Sequence, residues 1–154
     1  MSVRVAESAG FCFGVSRAVE LVEQAAKAGK TVVTLGPIIH NHHVVDKFRA
    51  LGVEVIDTPE QASPGQTVII RSHGVSRAVY EELQRRGVEI IDATCPFVKR
   101  IHGIVSRAKE EGQLPVIIGT PTHPEVEGIA GWCRDCRVFE TLDGLKNWAY
   151  SKED

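Results

Sequence analysis

The sequence has no long hydrophobic run, no signal-peptide pattern and no excess of basic residues. Its apolar stretches fall well short of the roughly 18 consecutive residues that a membrane-spanning helix needs. The N-terminal MSVRVAESAGFCFGV lacks a basic stretch followed by an apolar core, so it is not typical of a signal peptide. With a formal net charge of −2, the chain has no basic excess for nucleic acid. We therefore expect a soluble, cytosolic protein that binds neither membranes nor nucleic acid.

Cysteine is scarce, and the glycine-rich fingerprint of dinucleotide-binding domains is missing. The four cysteines are Cys12, Cys95, Cys133 and Cys136. Because disulfides are rare in the cytosol, these cysteines favour metal binding or redox chemistry. No G-x-G-x-x-G follows the first predicted strand, which argues against a nucleotide-binding Rossmann domain.

Segments rich in β-branched residues alternate with segments of helical periodicity along the chain. Strands are predicted at residues 3–6, 31–35, 53–56, 66–70, 88–91 and 114–118, with a weaker one at 138–139. Helices are predicted from residue 14 to Gly29, at 44–51, 76–86 and 142–149, and from Pro96 and Pro124 onward. A short helical turn is predicted after Pro59.

The alternation of strands and helices predicts βαβ units with parallel sheets, the α/β class. A hydrophobic fraction of 43% and a charged fraction of 25% are typical of a globular chain. The length of 154 residues allows one ordinary domain or two small ones. We place a break near Cys95, which gives a first α/β module over residues 1–95 and an incomplete second module over 96–154.

A cysteine or a histidine stands between a predicted strand and the next helix five times. These residues are Cys12, His40, His73, Cys95 and His123. In open parallel sheets, ligands bind outside the carboxyl ends of the strands, and the helix N-termini there favour anions such as phosphate. The sequence therefore predicts an anion site, for example for a diphosphate, with thiols beside it that indicate a metal centre.

Residues near these loops have structural and functional interpretations. Glu125, in the first turn of a predicted helix, either complements the helix dipole or donates a proton next to His123. Thr94 caps a helix or hydrogen-bonds to a ligand. The remaining histidines are expected to lie on the protein surface, and they are His42, His43 and His102.

Cys133 and Cys136 form a C-x-x-C pair, which raises the alternative of a zinc site completed by Cys95 or His123. The second close pair of a typical zinc site is missing, and Cys133 falls at a predicted helix end. Two free thiols are therefore the interpretation that we favour. The separation of Cys12 and Cys95 excludes a ferredoxin-type run of cysteines.

Five motifs, in order, resemble the 4-hydroxy-3-methylbut-2-enyl diphosphate reductases. They are GFCFGV at 10–15, IHN at 39–41, SHGV at 72–75, DATCP at 92–96 and the segment from Gly119 that includes HPEVEG at 123–128. The resemblance implies a cloverleaf of three α/β modules around a 4Fe–4S cluster. It also implies a reductive dehydroxylation that yields isopentenyl and dimethylallyl diphosphate, with electrons from a ferredoxin- or flavodoxin-type donor.

The resemblance also implies roles for individual residues. Three cysteines, one from each module, hold the family's cluster, and Cys12 and Cys95 match two of them. The family's diphosphate-binding histidines are matched by His40, His73 and His123, and its proton-delivering carboxylate is matched by Glu125. Since the third cysteine has no match, we expect an N-terminal portion of such an enzyme that is incomplete alone. A diphosphate-binding module without catalysis is the alternative.

Overall fold

The computed structural model describes residues 2–108 and 110–148. Its helices and strands alternate along the chain, as the sequence predicts. In chain order they are α1 (Phe13–Lys27), β1 (Val32–Leu35), α2 (His42–Ala50), β2 (Glu54–Ile56), a 3₁₀ turn (Pro59–Gln61), β3 (Thr67–Ile70), α3 (Arg77–Arg85), β4 (Glu89–Asp92), α4 (Pro96–Ala108), β5 (Val116–Ile118), α5 (Pro124–Trp132), β6 (Arg137–Phe139) and α6 (Leu142–Lys146).

The described strands form two parallel sheets. The first has four strands in the order β2-β1-β3-β4, and in its centre Val33 pairs with Val68. The second consists of β5 and β6, with Ile117 opposite Val138. The predicted α/β class with parallel strands is confirmed. All strands of the first sheet precede residue 95 and both strands of the second follow it, while the division into modules at that point stays a prediction.

The two central strands, β1 and β3, are buried at every position. Their continuous apolar runs are typical of parallel strands that are covered on both faces. On one face Ile69 belongs to the same buried cluster as Val22 of α1, and on the other face Ile70 belongs to the same cluster as Leu83 of α3. Each such fully buried side chain contributes about 1.5–3 kcal/mol to the stability of the fold. This central pair fixes the sheet edge from which the histidine loops emerge.

Local capping signals start and end several helices. The Asn41 carboxamide oxygen accepts a hydrogen bond from the Val44 amide at the start of α2, and the Ser76 hydroxyl accepts one from Val79 at the start of α3. After α1, Gly29 adopts φ +73, the left-handed conformation that favours glycine. Among the described residues, no helix is long and apolar enough to cross a membrane.

The strand predicted at residues 3–6 is wrong. This segment has no regular secondary structure, and the side chains of Val3 and Val5 are 89% and 80% exposed. A strand needs a neighbouring strand to accept its backbone hydrogen bonds, and none of the described strands pairs with this segment. Cys12 therefore follows an irregular segment, so only four of the five reactive loops lie after a strand.

The surface position predicted for His102 is also wrong. Its side chain is only 6% exposed, and its ring stacks on the indole of Trp132 with centroids 5.6 Å apart and an interplanar angle of 19°. Helix α5 packs against this face of α4, which the helical periodicity of α4 alone does not reveal. In contrast, His42 and His43 are exposed at the start of α2, as predicted.

Candidate functional site

Three histidine rings lie together at the carboxyl ends of the strands. His40 follows β1, His73 follows β3 and His123 follows β5. The ring centroids of His40 and His73 are 4.9 Å apart, and those of His73 and His123 are 5.9 Å apart. Because β1 and β3 are neighbouring parallel strands, their loops meet at one edge of the sheet. The structure therefore brings all three predicted histidines into one cluster.

His123 also begins helix α5. Its Nδ1 accepts a hydrogen bond of 3.2 Å from the backbone N–H of Glu125. A neutral imidazole that accepts at Nδ1 carries its proton on Nε2. Nε2–H is thereby left as a donor for an anion. The side chain of Glu125 is half-buried in the first turn of α5, next to this imidazole in the chain.

The surroundings of His73, the central ring of the cluster, disfavour the protonated imidazole. Its pKa is lowered chiefly by burial and further by the positive charges of His40, Arg71 and His123. Its Nδ1 is buried and has no hydrogen-bond partner within the described chain. A bound anion would oppose these effects and favour protonation, so His73 is suited to sense negative charge in the cluster.

Arg71 is a charged residue of this region that the sequence reasoning missed. Its guanidinium is packed so closely against Gly36 that a Cβ there would lie 2.4 Å from Nη1. Gly36 also has φ +70, so this position favours glycine on two grounds. Burial lowers the pKa of Arg71, while the carboxylate of Glu127 opposes that shift. The position of Arg71 two residues before His73 was the available sequence signal.

Cys12 and Cys95 both stand at helix N-termini. Cys12 is the N-cap residue of α1, and Cys95 directly precedes Pro96, the first residue of α4. A Cβ on Gly14, in the first turn of α1, would lie only 2.7 Å from Cys95 Sγ. The thiol of Cys95 therefore packs against the turn that Cys12 begins, and the structure places both predicted thiols around the start of α1.

Hydrogen bonds to backbone carbonyls connect the cysteine and histidine loops. The Cys95 amide donates to the Ser72 carbonyl at 2.8 Å. The buried Ser72 hydroxyl donates in turn to the Ile38 carbonyl at 3.3 Å. Since Ser72 precedes His73 and Ile38 lies in the loop that carries His40, these bonds join three of the reactive loops directly.

Arg17 provides a further connection that the sequence reasoning missed. Its guanidinium donates from α1 to the backbone carbonyls of Asp92 at 3.2 Å and Thr94 at 3.4 Å. This contact holds the helix that begins at Cys12 against the loop that carries Cys95. Its position in the middle of a helix gave no signal, because the contact crosses a long stretch of sequence.

A cavity of about 280 Å³ lies between the segment that precedes Cys12 and the loops that carry His40 and His73. Its walls are Phe11, Val15, Ile39, His40, Asn41, Ser72 and His73. Phe11 is the residue before Cys12, so one wall comes from the cysteine loop and the opposite wall from two histidine loops. A small molecule in this cavity can contact the imidazoles of His40 and His73.

The donor set tests whether an iron–sulfur cluster suits this site. Cys12 and Cys95 are free thiols at the starts of α1 and α4. The absence of a Cβ at Gly14 leaves room for the Cys95 sulfur. Thiolates are the usual ligands of such clusters, so these two residues fit part of a cysteine ligand set.

The other two cysteines lie elsewhere in the fold. Cys133 ends α5 and Cys136 precedes β6, so neither occupies a strand-to-helix loop. The Cys133 thiol donates to the Asp135 carbonyl, and burial together with Cys133 raises the pKa of Cys136 to about 11. Within residues 2–108 and 110–148, no three or more His, Cys, Asp or Glu side chains are grouped to hold a metal ion. The zinc alternative therefore gains no support from the geometry.

Comparison with known proteins identifies the family. A family model described as LytB protein matches residues 3–153. The chain belongs to the LytB family. This finding confirms the resemblance drawn from the five sequence motifs.

Curated relatives in this family are named 4-hydroxy-3-methylbut-2-enyl diphosphate reductase. The protein of that name from Thermoanaerobacter sp. (strain X514) is 47% identical over 139 residues, which cover 88% of this chain and 48% of that protein. The one from Aquifex aeolicus (strain VF5) is 45% identical over 150 residues, which cover 94% of this chain and 52% of that protein. This LytB chain thus spans about half the length of these relatives.

Two solved structures share the fold. One is described as (E)-4-hydroxy-3-methyl-but-2-enyl diphosphate reductase, the terminal enzyme of the non-mevalonate pathway. It superimposes with a TM-score of 0.81 at 44% sequence identity, and the match covers 93% of this chain and 52% of the reductase chain. The reductase from Plasmodium falciparum gives a TM-score of 0.89 at 28% identity, with 94% of this chain and 46% of its own covered. The same LytB fold therefore holds across quite divergent sequences.

Proposed function

We propose that this LytB chain carries the diphosphate-binding histidines, the proton donor and two cluster ligands of a 4-hydroxy-3-methylbut-2-enyl diphosphate reductase. The observation that carries the proposal is the histidine cluster, in which the centroids of neighbouring rings are 4.9 and 5.9 Å apart. The names of the relatives support the substrate and the reaction class.

The histidine cluster binds the diphosphate in this proposal. His123 offers Nε2–H because its Nδ1 is occupied by the Glu125 amide. His73 takes up a proton when the anion arrives, since the anion offsets the burial and the positive neighbours that lower its pKa. His40 is exposed at the rim and adds a further donor. Anchoring the diphosphate positions the other end of the substrate for reaction.

Glu125 supplies a proton in this proposal. The reaction breaks the allylic C–O bond, takes up two electrons and two protons, and releases water. A carboxylic acid close to the leaving oxygen provides one proton without help from bulk water. Glu125 suits this role because its backbone hydrogen bond to His123 places it beside the anion site on a rigid helix turn.

Cys12 and Cys95 hold part of the cofactor in this proposal. A 4Fe–4S cluster, when bound, supplies single electrons and Lewis-acid character toward the substrate oxygen. The first turn of α1 and the Cys95 loop are held together by Arg17, so the two thiols keep a fixed relationship. A ferredoxin- or flavodoxin-type electron donor belongs to the proposal on the family resemblance alone, and the cytosolic location stays a prediction of the sequence.

Titration with inorganic diphosphate tests the binding step without the cofactor. We expect calorimetry at pH 7 to detect binding by the chain, and His73→Gln to weaken it by about 10- to 100-fold through loss of a charge-assisted hydrogen bond. His43→Gln is the matched control, because His43 is exposed on α2 outside the cluster. Equal affinities of the two variants would show that the cluster does not bind diphosphate.

A further inference from the structure

Arg71 lies near all three histidine loops, and its side chain makes no hydrogen bond within the described residues. It lies two residues before His73, and its Nη1 occupies the space beside Gly36, at the start of the loop that carries His40. Its Nε is buried and has no partner within the described residues. Its charge also interacts with Glu127, four residues after His123. One cation therefore lies at the junction of three loops.

Arg71 lies in a different cavity from the ring cluster. The guanidinium lines a cavity of about 200 Å³ together with Pro124, Glu127 and Gly128 of α5. His40 and His73 instead line the separate cavity that includes Phe11. Arg71 is thus placed to act on the loops that bear the histidines, rather than on an anion bound by the rings.

The charges around this cavity favour an attraction between the two sides of the site. Arg71 belongs to the loop after β3, whereas Glu127 belongs to the first turns of α5. Asp57 is a further lining residue of the same cavity. Since burial disfavours the charged guanidinium, the carboxylate of Glu127 offsets part of that cost only while α5 stays close. The attraction therefore draws the helix that carries His123 and Glu125 toward His73.

We propose that Arg71 is a positioning residue, which holds the first turn of α5 against the His40 and His73 loops through its packing on Gly36 and its attraction to Glu127. The inference rests on the proposed function for its consequence, which is the correct spacing of the diphosphate-binding rings. The geometry itself does not depend on that function. Lysine keeps the charge but lacks the planar, forked guanidinium. An Arg71→Lys variant therefore separates the attraction to Glu127 from the packing on Gly36.

Two measurements on the free chain test the arrangement itself. Arg71→Met removes a positive neighbour of His73, so NMR titration should give a higher pKa for His73, whereas Arg71→Lys should leave it nearly unchanged. The Glu125 amide resonance reports the bond to His123. It should shift in both variants, because neither restores the packing on Gly36. Arg77→Met is the control, since Arg77 pairs with Glu81 on the exposed side of α3.

Diphosphate affinity then tests the consequence. We expect Arg71→Met and Glu127→Gln each to weaken diphosphate binding by about tenfold, and the double variant to be no weaker than either single one, because the two residues act as a unit. Arg77→Met should bind like the unaltered chain. Additive losses, or unchanged His73 and Glu125 signals in Arg71→Met, would overturn the proposal. If the unaltered chain itself failed to bind diphosphate, the proposed function would fail, while the two NMR readouts would still decide the role of Arg71.

Discussion

His73 and His123 meet edge to face, with ring centroids 5.9 Å apart and an interplanar angle of 84°, although they come from loops on different sheets. The loop of His73 belongs to the four-stranded sheet and that of His123 to the two-stranded sheet. Their contact therefore depends on how α5 packs against α3 and α4. Any change that moves α5 should therefore alter the spacing of these two rings without replacing a histidine.

The stability of the chain should decrease as the pH is lowered from about 6.5 to 5. The pKa values of His73 and His102 lie below the ordinary histidine value of 6.5, mainly because of burial. The unfolded chain thus binds more protons than the folded chain as the pH drops below about 6.5. The free energy of unfolding therefore decreases as the pH is lowered through this range, and it does not change above it. Urea denaturation at several pH values measures this.

The matched variants for that experiment are His73→Gln and His43→Gln. We expect the first to show a shallower loss of stability toward pH 5, because one depressed pKa is removed. The second replaces an exposed histidine and should keep the slope of the unaltered chain. Identical slopes for all three chains would mean that His73 does not titrate abnormally.

Glu125→Gln in the full-length protein should abolish turnover while leaving diphosphate binding within about threefold. The amide cannot donate a carboxylic proton, and the loss of a general acid typically costs about 10²–10⁴ in rate. The backbone N–H that bonds His123 is retained. Steady-state kinetics with a chemical electron donor, alongside diphosphate calorimetry, separate the two effects. Glu140→Gln, at an exposed position after β6, is the control, and retention of activity in Glu125→Gln would remove it from the proton path.

The 154-residue chain alone should hold an iron–sulfur cluster weakly or not at all. Its candidate site provides Cys12 and Cys95, whereas the family resemblance implies three cysteine ligands. Anaerobic reconstitution with iron and sulfide, followed by absorption spectra and iron and sulfide analysis, measures the content. The Cys133→Ser/Cys136→Ser chain should behave in the same way, since neither residue lies in the site. One stable, stoichiometric cluster per chain would contradict this prediction.

Two glycine-to-alanine changes in helices should have opposite effects on stability. At Gly103 in α4, a Cβ meets only Arg107 Nη1 at 3.6 Å, an ordinary contact. Gly103→Ala should therefore raise the free energy of unfolding by about 0.5–1 kcal/mol through helix propensity. At Gly14, the added Cβ would collide with Cys95 Sγ, so Gly14→Ala should lower it by about 1–3 kcal/mol. Thermal unfolding compares the two, and a stabilised Gly14→Ala chain would show that the Cys95 loop moves freely.

Local sequence signals predicted much of the fold, and they failed where a contact partner was needed. The strands from β1 to β6 follow from apolar runs, and the helices from periodicity and from caps such as Ser76. The segment around Val3 and Val5 has the composition of a strand, but no strand in the described part of the chain pairs with it. His102 looked exposed because the burial of one face of α4 depends on α5. Composition and periodicity do not contain that information.

The sequence by itself determined the α/β class and the family, because residue type and order along the chain are sufficient for each, and it predicted a set of site residues. Only the tertiary structure decided that the rings of His40, His73 and His123 lie within one cluster, and that Gly14 makes room for the Cys95 thiol. The position of Arg71 between the histidine loops is likewise known only from the tertiary structure. Its contacts join segments that are far apart in sequence, and such distances depend on how the helices pack on the sheets.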